Sequence, residues 1–389
     1  MRVRPGIEVL LEERKDLIGG ARVGVVVHPA SILPDFEHTV DALYAMKDCR
    51  LVSIFGPQHG ARGEKQDNMI ESAHYRDPDT GIFVHSLYSE TRRPTAAMLE
   101  GIDVLLFDLL DVGTRVYTFI HTMAYCMEAC AENHTSIIVL DRPNPLNCLQ
   151  VEGNLLDPDF RSFVGLYPIP MRHGMTTGEL ARMFHAEFGI RCDLTVVAME
   201  GYERKYWYDQ TGLPWIQPSP NLPTLDSATA YAGLVLVEGT CLSEGRGTTR
   251  PFELIGAPFI QSRVYAESLN ALELPGVWFR PAHFEPTFQK WKSEMCGGVQ
   301  IHVTDREAFE PYLTGIAAIS TAKSLYPDSF QWRKPPYEYE REKLPIEILC
   351  GGKEIPRMID FGMPIIKIRQ SWQSDIASFM QKRKPYLLY

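Results

Sequence analysis

The sequence lacks any apolar run long enough to span a bilayer, which excludes a helical membrane span. Its first residues, MRVRPGIEVLLEERKD, contain no apolar core segment and no small-residue cleavage site, so the cytoplasm is the expected compartment. Basic residues are in deficit, 39 Lys and Arg against 49 Asp and Glu, and the net charge of -10 argues against a nucleic-acid partner. None of the eight cysteines forms a C-x-x-C pair. Cys126 and Cys130 lie one helical turn apart and read as small buried apolar side chains, with thiols reduced as in a cytosolic protein. His59, His173 and His185 supply no H-x-x-x-H with a carboxylate, so no metal site is expected. No G-x-S-x-G nucleophile elbow occurs, no G-x-x-x-x-G-K-[ST] loop, and no G-x-G-x-x-G after the first strand. Gly19 and Gly20 precede that strand, the wrong side for a dinucleotide, and no cofactor is expected.

What is present organises itself around residues 55–64, FGPQHGARGE. The apolar run LVSIF before it reads as a buried strand. The chain then turns at Gly56-Pro57 and presents Gln58, His59, Arg62 and Glu64 within seven residues. A loop fixed by a rigid sheet suits a site, although Gly- and Pro-rich turns are commonly only turns.

The chain has 389 residues, long for a single core, with ordinary globular composition at 45% hydrophobic and 23% charged. A leading helix is expected around Val9–Leu17, a strand in ARVGVVVHPA, and a helix over Phe36–Met46. LVSIF, GIFVHSLY, DVLLFDLL, SIIVLD and DLTVVAM read as further strands, separated by helices or, over 65–80, by a long loop. Val116, Ile120, Met123, Met127 and Ala131 recur at helical spacing. Thr176, Glu179 and Gly189 mark a capped helix over 176–188. This β-α-β alternation over the first 200 or so residues argues α/β architecture with a doubly wound parallel sheet, whose ligands bind at the carboxyl ends of the strands. The Pro- and Trp-rich stretch over 205–225 is a candidate hinge, and the strands and helices beyond it suggest a smaller α+β domain.

Polar clusters follow the strands at 58–64, 111–115 and 141–144. Asp111 and Arg115, and Asp141 and Arg142, serve equally as loop-shaping ion pairs or as site residues, with Asn144 beside the second pair. Farther on, Ser219 and Asn221 lie in SPN. In SEGRGTTRPFE, Glu244 precedes Arg246 and Arg250, each able to grip a carboxylate bidentately. With nucleophile elbows and metals set aside, carboxylate chemistry remains. Glycoside hydrolysis needs a protonated acid and a nucleophile, a base or help from the substrate. Glu64, Glu71, Asp111 and Glu244 are the acids in polar clusters. Trp207, Trp215, Tyr117 and Tyr231 could stack on sugar faces.

The segments LLFDLLDVGTRVYTFIHTMAYCMEA, VLDRPNP, FVGLYPIPMRHGMTTGELA, PSPNLPT and EGTCLSEGRGTTRPFELIGAPFI resemble the exo-β-N-acetylmuramidases, glycoside hydrolase family 171. The match covers nearly the whole chain and is weakest at 330–370. The resemblance implies a Rossmann-like domain over 1–215, a smaller α+β domain over 216–389, and an active-site cleft between them. It implies release of terminal N-acetylmuramic acid from peptidoglycan fragments. The molecular partner is then an amino sugar or muropeptide, with no nucleic acid and no membrane, while a homo-oligomer stays compatible with the sequence. Family enzymes carry Pro-Glu-His-Gly at the opening motif, and that Glu is the proposed catalytic residue; here the position is Gln58. An amide neither ionises nor donates a mobile proton, so it serves as neither acid nor base. Glu64 is therefore expected to supply the acid, with Gln58 orienting a substrate acetamido group and His59 beside them. Arg246 or Arg250 is expected to receive the substrate's lactyl carboxylate. The alternative is a non-hydrolytic amino-sugar-binding protein that kept the cleft; a cofactor-dependent dehydrogenase is a third reading.

Overall fold

In a computed structural model that describes residues 2–63 and 71–389, the first half forms a seven-stranded sheet. Its strands are β1 (Arg22–Val27), β2 (Arg50–Gly56), β3 (Tyr75–Arg76), β4 (Phe83–Ser86), β5 (Val104–Asp108), β6 (Ser136–Leu140) and β7 (Leu194–Val197). The spatial order is β3-β4-β2-β1-β5-β6-β7, and every pair is parallel except the short β3 with β4. Without β3 this is the doubly wound order with its reversal at β1. Both faces of the strands are buried, as the continuous run RVGVVV requires of a parallel strand covered on both sides.

On one face Val23, Val25, Val27 and Leu106 pack with Ile7 and Leu10 of α1 (Gly6–Glu13) and Val40 and Leu43 of α2 (Thr39–Ala45). The other face, with Val26, Phe107 and Val139, is covered by α4 (Phe119–Asn133) and α5 (Thr177–Glu187), while α3 (Ala96–Leu99) packs beside α4. The expected capping box at Thr176 is present: its hydroxyl accepts from the Glu179 N–H and the Glu179 carboxylate accepts from the Thr176 N–H. The leading helix begins earlier than expected, after the extended Pro5, and ends at Glu13. Gly6 lies so close to the Asp141 backbone that a Cβ would come within 2.5 Å of its nitrogen.

The second half holds a three-stranded antiparallel sheet of β8 (Leu254–Ala257), β9 (Val277–Phe284) and β10 (Cys296–Val303), with β10 central. Around it stand α6 (Leu225–Leu234), α7 (Ser262–Asn270) and α8 (Pro311–Leu325). Four short helices close the chain, α9 (Pro345–Cys350), α10 (Glu354–Asp360), α11 (Ile365–Ser371) and α12 (Gln373–Lys382). No helix among the described residues is long and apolar enough to cross a membrane.

Candidate active site

The crevice beside β1, where a doubly wound sheet usually holds its ligand, is filled by side chains. The Arg142 guanidinium pairs with Asp108 at 2.6 and 2.8 Å, Thr39 donates to Asp108, and the Ser31 hydroxyl donates to the Asp108 carbonyl, with His28 against Ser31. Burial pushes His28 well below the usual histidine range, so it is neutral. The polar cavity lies one strand over, beyond the end of β2.

That cavity, of about 40 Å³, is lined among others by Gln58, His59, Tyr117, Ser219, Glu238, Arg246 and Glu338. Gln58 and His59 leave β2 through a tight turn in which the Gly60 N–H donates to the Pro57 carbonyl at 2.9 Å. His59 sits at φ 72 and Gly60 at φ 87. Gly56 has no room for a side chain, because a Cβ would meet the Ala61 nitrogen at 2.5 Å. Thr118, the residue before α4, donates its hydroxyl to the Gln58 carbonyl oxygen at 2.9 Å. This contact turns the amide N–H₂ toward Glu338, to whose carboxylate it donates at 3.3 Å. The Tyr88 hydroxyl donates to the other Glu338 oxygen at 2.8 Å.

Glu338 is thus the acid that faces the motif. Burial, together with the nearby Glu238 charge and against the Tyr88 and Gln58 hydrogen bonds, raises it to about 7. Glu338 and Tyr339 have φ 44 and 69, left-handed values that non-glycine residues rarely adopt and that cluster at functional sites. Burial acts to raise Glu238 as well, but Arg246 at 2.7 Å and the Tyr337 hydroxyl at 2.8 Å hold it below the ordinary carboxylate range. One cavity therefore holds two carboxyl groups whose environments push them apart, one protonated near neutrality and one ionised, the pattern that separates acid from spectator.

The other expected site residues divide. Asp111 accepts from the Gly113 N–H at 2.7 Å and lies 3.5 Å from His173; its Oδ1 is buried with no hydrogen-bond partner among the described residues. Asn221 is buried beside Ser219. Glu64 lies outside the described residues. Several expected site residues hold contacts within the protein. Arg115 is fully buried and donates to the backbone carbonyls of Asn154, Ile169 and Leu349, a structural tie rather than a ligand contact. Asp141 accepts from Thr176, the Gly178 N–H and Tyr389, and Arg142 belongs to Asp108; neither faces the cavity. Asn144 donates to the Met175 carbonyl and accepts from the Leu146 N–H. Arg62 pairs with Asp77 and Asp79. Arg246 is engaged by Glu238 and by Glu244 at 3.3 Å, while Glu244 also holds Lys290 at 2.7 Å, so this buried network is already neutral. Arg250 pairs with Glu253 at 3.0 Å and is half-exposed. Gln58 is bound at both ends of its amide by Thr118 and Glu338.

Glu338 was missed because RKPPYEYEREK offers no glycine turn and no motif spacing. The available signal was the acid between two tyrosines after a Pro-Pro, a composition suited to burial.

The comparisons with known proteins identify the family. The family described as exo-beta-N-acetylmuramidase NamZ matches in two parts, its N-terminal part over residues 23–226 and its C-terminal part over 229–389. A curated relative, the peptidoglycan beta-N-acetylmuramidase NamZ of Bacillus subtilis strain 168, is 47% identical over 388 residues, covering 100% of this chain and 92% of that protein. Two crystal structures of DUF1343 family proteins from Bacteroides fragilis superpose with TM-scores of 0.89 and 0.79, at 36% and 30% identity, each covering 100% of this chain and 99% of the other. Fold and cavity define a two-part α/β protein with a buried carboxylic acid between its halves. The chain belongs to the exo-β-N-acetylmuramidase NamZ family.

Proposed function

We propose that this protein is an exo-acting glycosidase that releases terminal N-acetylmuramic acid from peptidoglycan fragments, with Glu338 as its general acid. The observation that carries the chemistry is the Glu338 carboxyl, buried, raised to about 7 and held by Tyr88 and by the amide that replaces the family's glutamate. Glu338 would give its proton to the glycosidic oxygen as the C1–O bond breaks. The carbonyl oxygen of the substrate's own acetamido group would attack C1 in the same step, while Glu238 stays paired with Arg246. Water would then open the resulting cyclic intermediate, with the Glu338 carboxylate taking back a proton.

The cavity is smaller than a pyranose, so it forms the deep end of the site and the sugar ring would lie outside it. The half-exposed Tyr339 offers a ring face there, with the buried Tyr88 behind it at a centroid distance of 5.8 Å. All eight cysteines are free, which suits a reducing compartment and hence sugars recovered inside the cell. The test is turnover of a chromogenic β-N-acetylmuramide by the wild-type protein. Saturable binding of the sugar without turnover would favour the non-hydrolytic reading, which the glutamine at position 58 motivates.

A further inference from the structure

We propose that Arg92 is the receptor for the carboxylate on the substrate's lactyl ether and so selects muramic sugars over plain N-acetylglucosamine. This rests on the amino-sugar reading above, but not on its hydrolytic step. The Arg92 guanidinium lies flat against Tyr339, its carbon 3.2 Å from the ring centroid, and 5.5 Å from the centroid of Tyr88. Tyr88 in turn reaches Glu338 with its hydroxyl at 2.8 Å. A single phenol ring therefore separates the guanidinium from the acid, and a pyranose ring is of similar width. A sugar set against the exposed edge of the Arg92–Tyr339 pair, with its glycosidic oxygen toward Glu338, would bring its C3 substituent to Arg92.

The charge balance points the same way. Arg246 is neutralised by Glu238 and Glu244, Arg250 by Glu253, Arg93 by Glu132 and Arg62 by Asp77. Arg92 differs in having no carboxylate within hydrogen-bond distance among the described residues, and its Nε and one terminal nitrogen are buried without a hydrogen-bond partner there. Its nearest carboxylate among the described residues, Glu71, stands 3.8 Å away, beyond hydrogen-bond reach, and is 56% exposed. Glu71 also receives the Tyr339 hydroxyl at 3.4 Å, so its carboxylate marks where an anion sits against the Arg92–Tyr339 pair. A substrate carboxylate would displace this loosely held, solvated group and form the bidentate contact that Glu71 does not.

Calorimetric binding of free N-acetylmuramic acid and N-acetylglucosamine to the full chain tests the assignment without requiring catalysis. The wild type should prefer the muramic sugar by about tenfold or more, the effect expected of a charge-assisted pair at a partly buried site. Arg92→Ala should bring the two affinities together, and Arg92→Lys, which keeps the charge and loses the fork, should fall between. Thermal unfolding of each variant shows whether it is folded, and the Lys variant carries the test if the Ala variant is not. A wild type without preference, or variants that keep the wild-type ratio, would overturn the proposal. Turnover with an unchanged ratio would remove Arg92 and leave the glycosidase; an Arg92-dependent preference without turnover would do the reverse.

Discussion

Glu338 sets the pH response of the proposed chemistry. With its acid raised to about 7, the group is protonated below that pH, and turnover should fall as pH rises through about 7. Glu338→Gln keeps the shape, and should abolish turnover while sugar binding stays measurable; an active variant would refute the assignment. The same shift bears on stability. The folded value of about 7 lies above the ordinary 4.5, so proton uptake stabilises the wild type fully below 4.5 and the gain is lost as pH rises through 7. Relative to Glu338→Gln, the wild type should lose on the order of 3 kcal/mol between those limits, read from urea unfolding of both proteins at pH 4.5 and 8. Gln58→Glu sets a second carboxylate across the 3.3 Å contact, where like charges share a proton. The alkaline limb of the profile should then move above 7; an unmoved limb would show that the two groups do not share one proton. Gln58, His59, Ser219 and Arg246 were legible because turn chemistry and charge mark them in the sequence. Glu338 was not, because its role is made by Gln58 and Tyr88, 280 and 250 residues away. Arg246 looked available for the same reason: no spacing reveals that two buried glutamates already hold it.

At the scale of elements, the parallel strands were legible because a strand covered on both faces must be apolar throughout. Helix α6 was not, since it is buried on every side and so shows no amphipathic period. What fixes α6 is contact rather than pattern. Gly233 packs directly on the start of α8, where a Cβ would fall 1.7 Å from the Pro311 carbonyl oxygen, and a Cβ on Gly315 of α8 would fall 2.3 Å from the Gly233 oxygen. Both obstacles are backbone and neither can swing aside. Gly233→Ala must push the helices apart, at a cost of about 3 kcal/mol or more. Because α6 also carries Tyr231, a wall of the cavity, turnover should drop with stability. A Gly233→Ala protein that unfolds at the wild-type denaturant midpoint would refute this close crossing.

At the scale of the molecule, the sequence suggested two domains with a hinge, and the structure ties the halves together at several places. One hydrophobic cluster runs from Val26 in the first sheet to Phe379 in α12. Arg115 in the first half is held by the Leu349 carbonyl in the second. The end of the chain returns to the first sheet: Arg383 donates to the carbonyls of His173 and Gly174, Leu388 donates its N–H to Glu179, and the Tyr389 hydroxyl donates to Asp141 at 2.8 Å while accepting from the Met199 N–H at 2.7 Å. Asp141, raised by burial to about 7, shares its Oδ2 between that hydroxyl and the Thr176 hydroxyl. Removing a partner from a buried polar group costs about 1–3 kcal/mol, so Tyr389→Phe should lower stability by that amount, although the residue is the last in the chain and far from the cavity. A core shared this widely also makes unfolding cooperative. Calorimetry should give one transition with equal calorimetric and van't Hoff enthalpies, and residues 1–226 alone should not fold. Two separable transitions, or a Tyr389→Phe protein as stable as the wild type, would show instead that the first half stands without the returning chain.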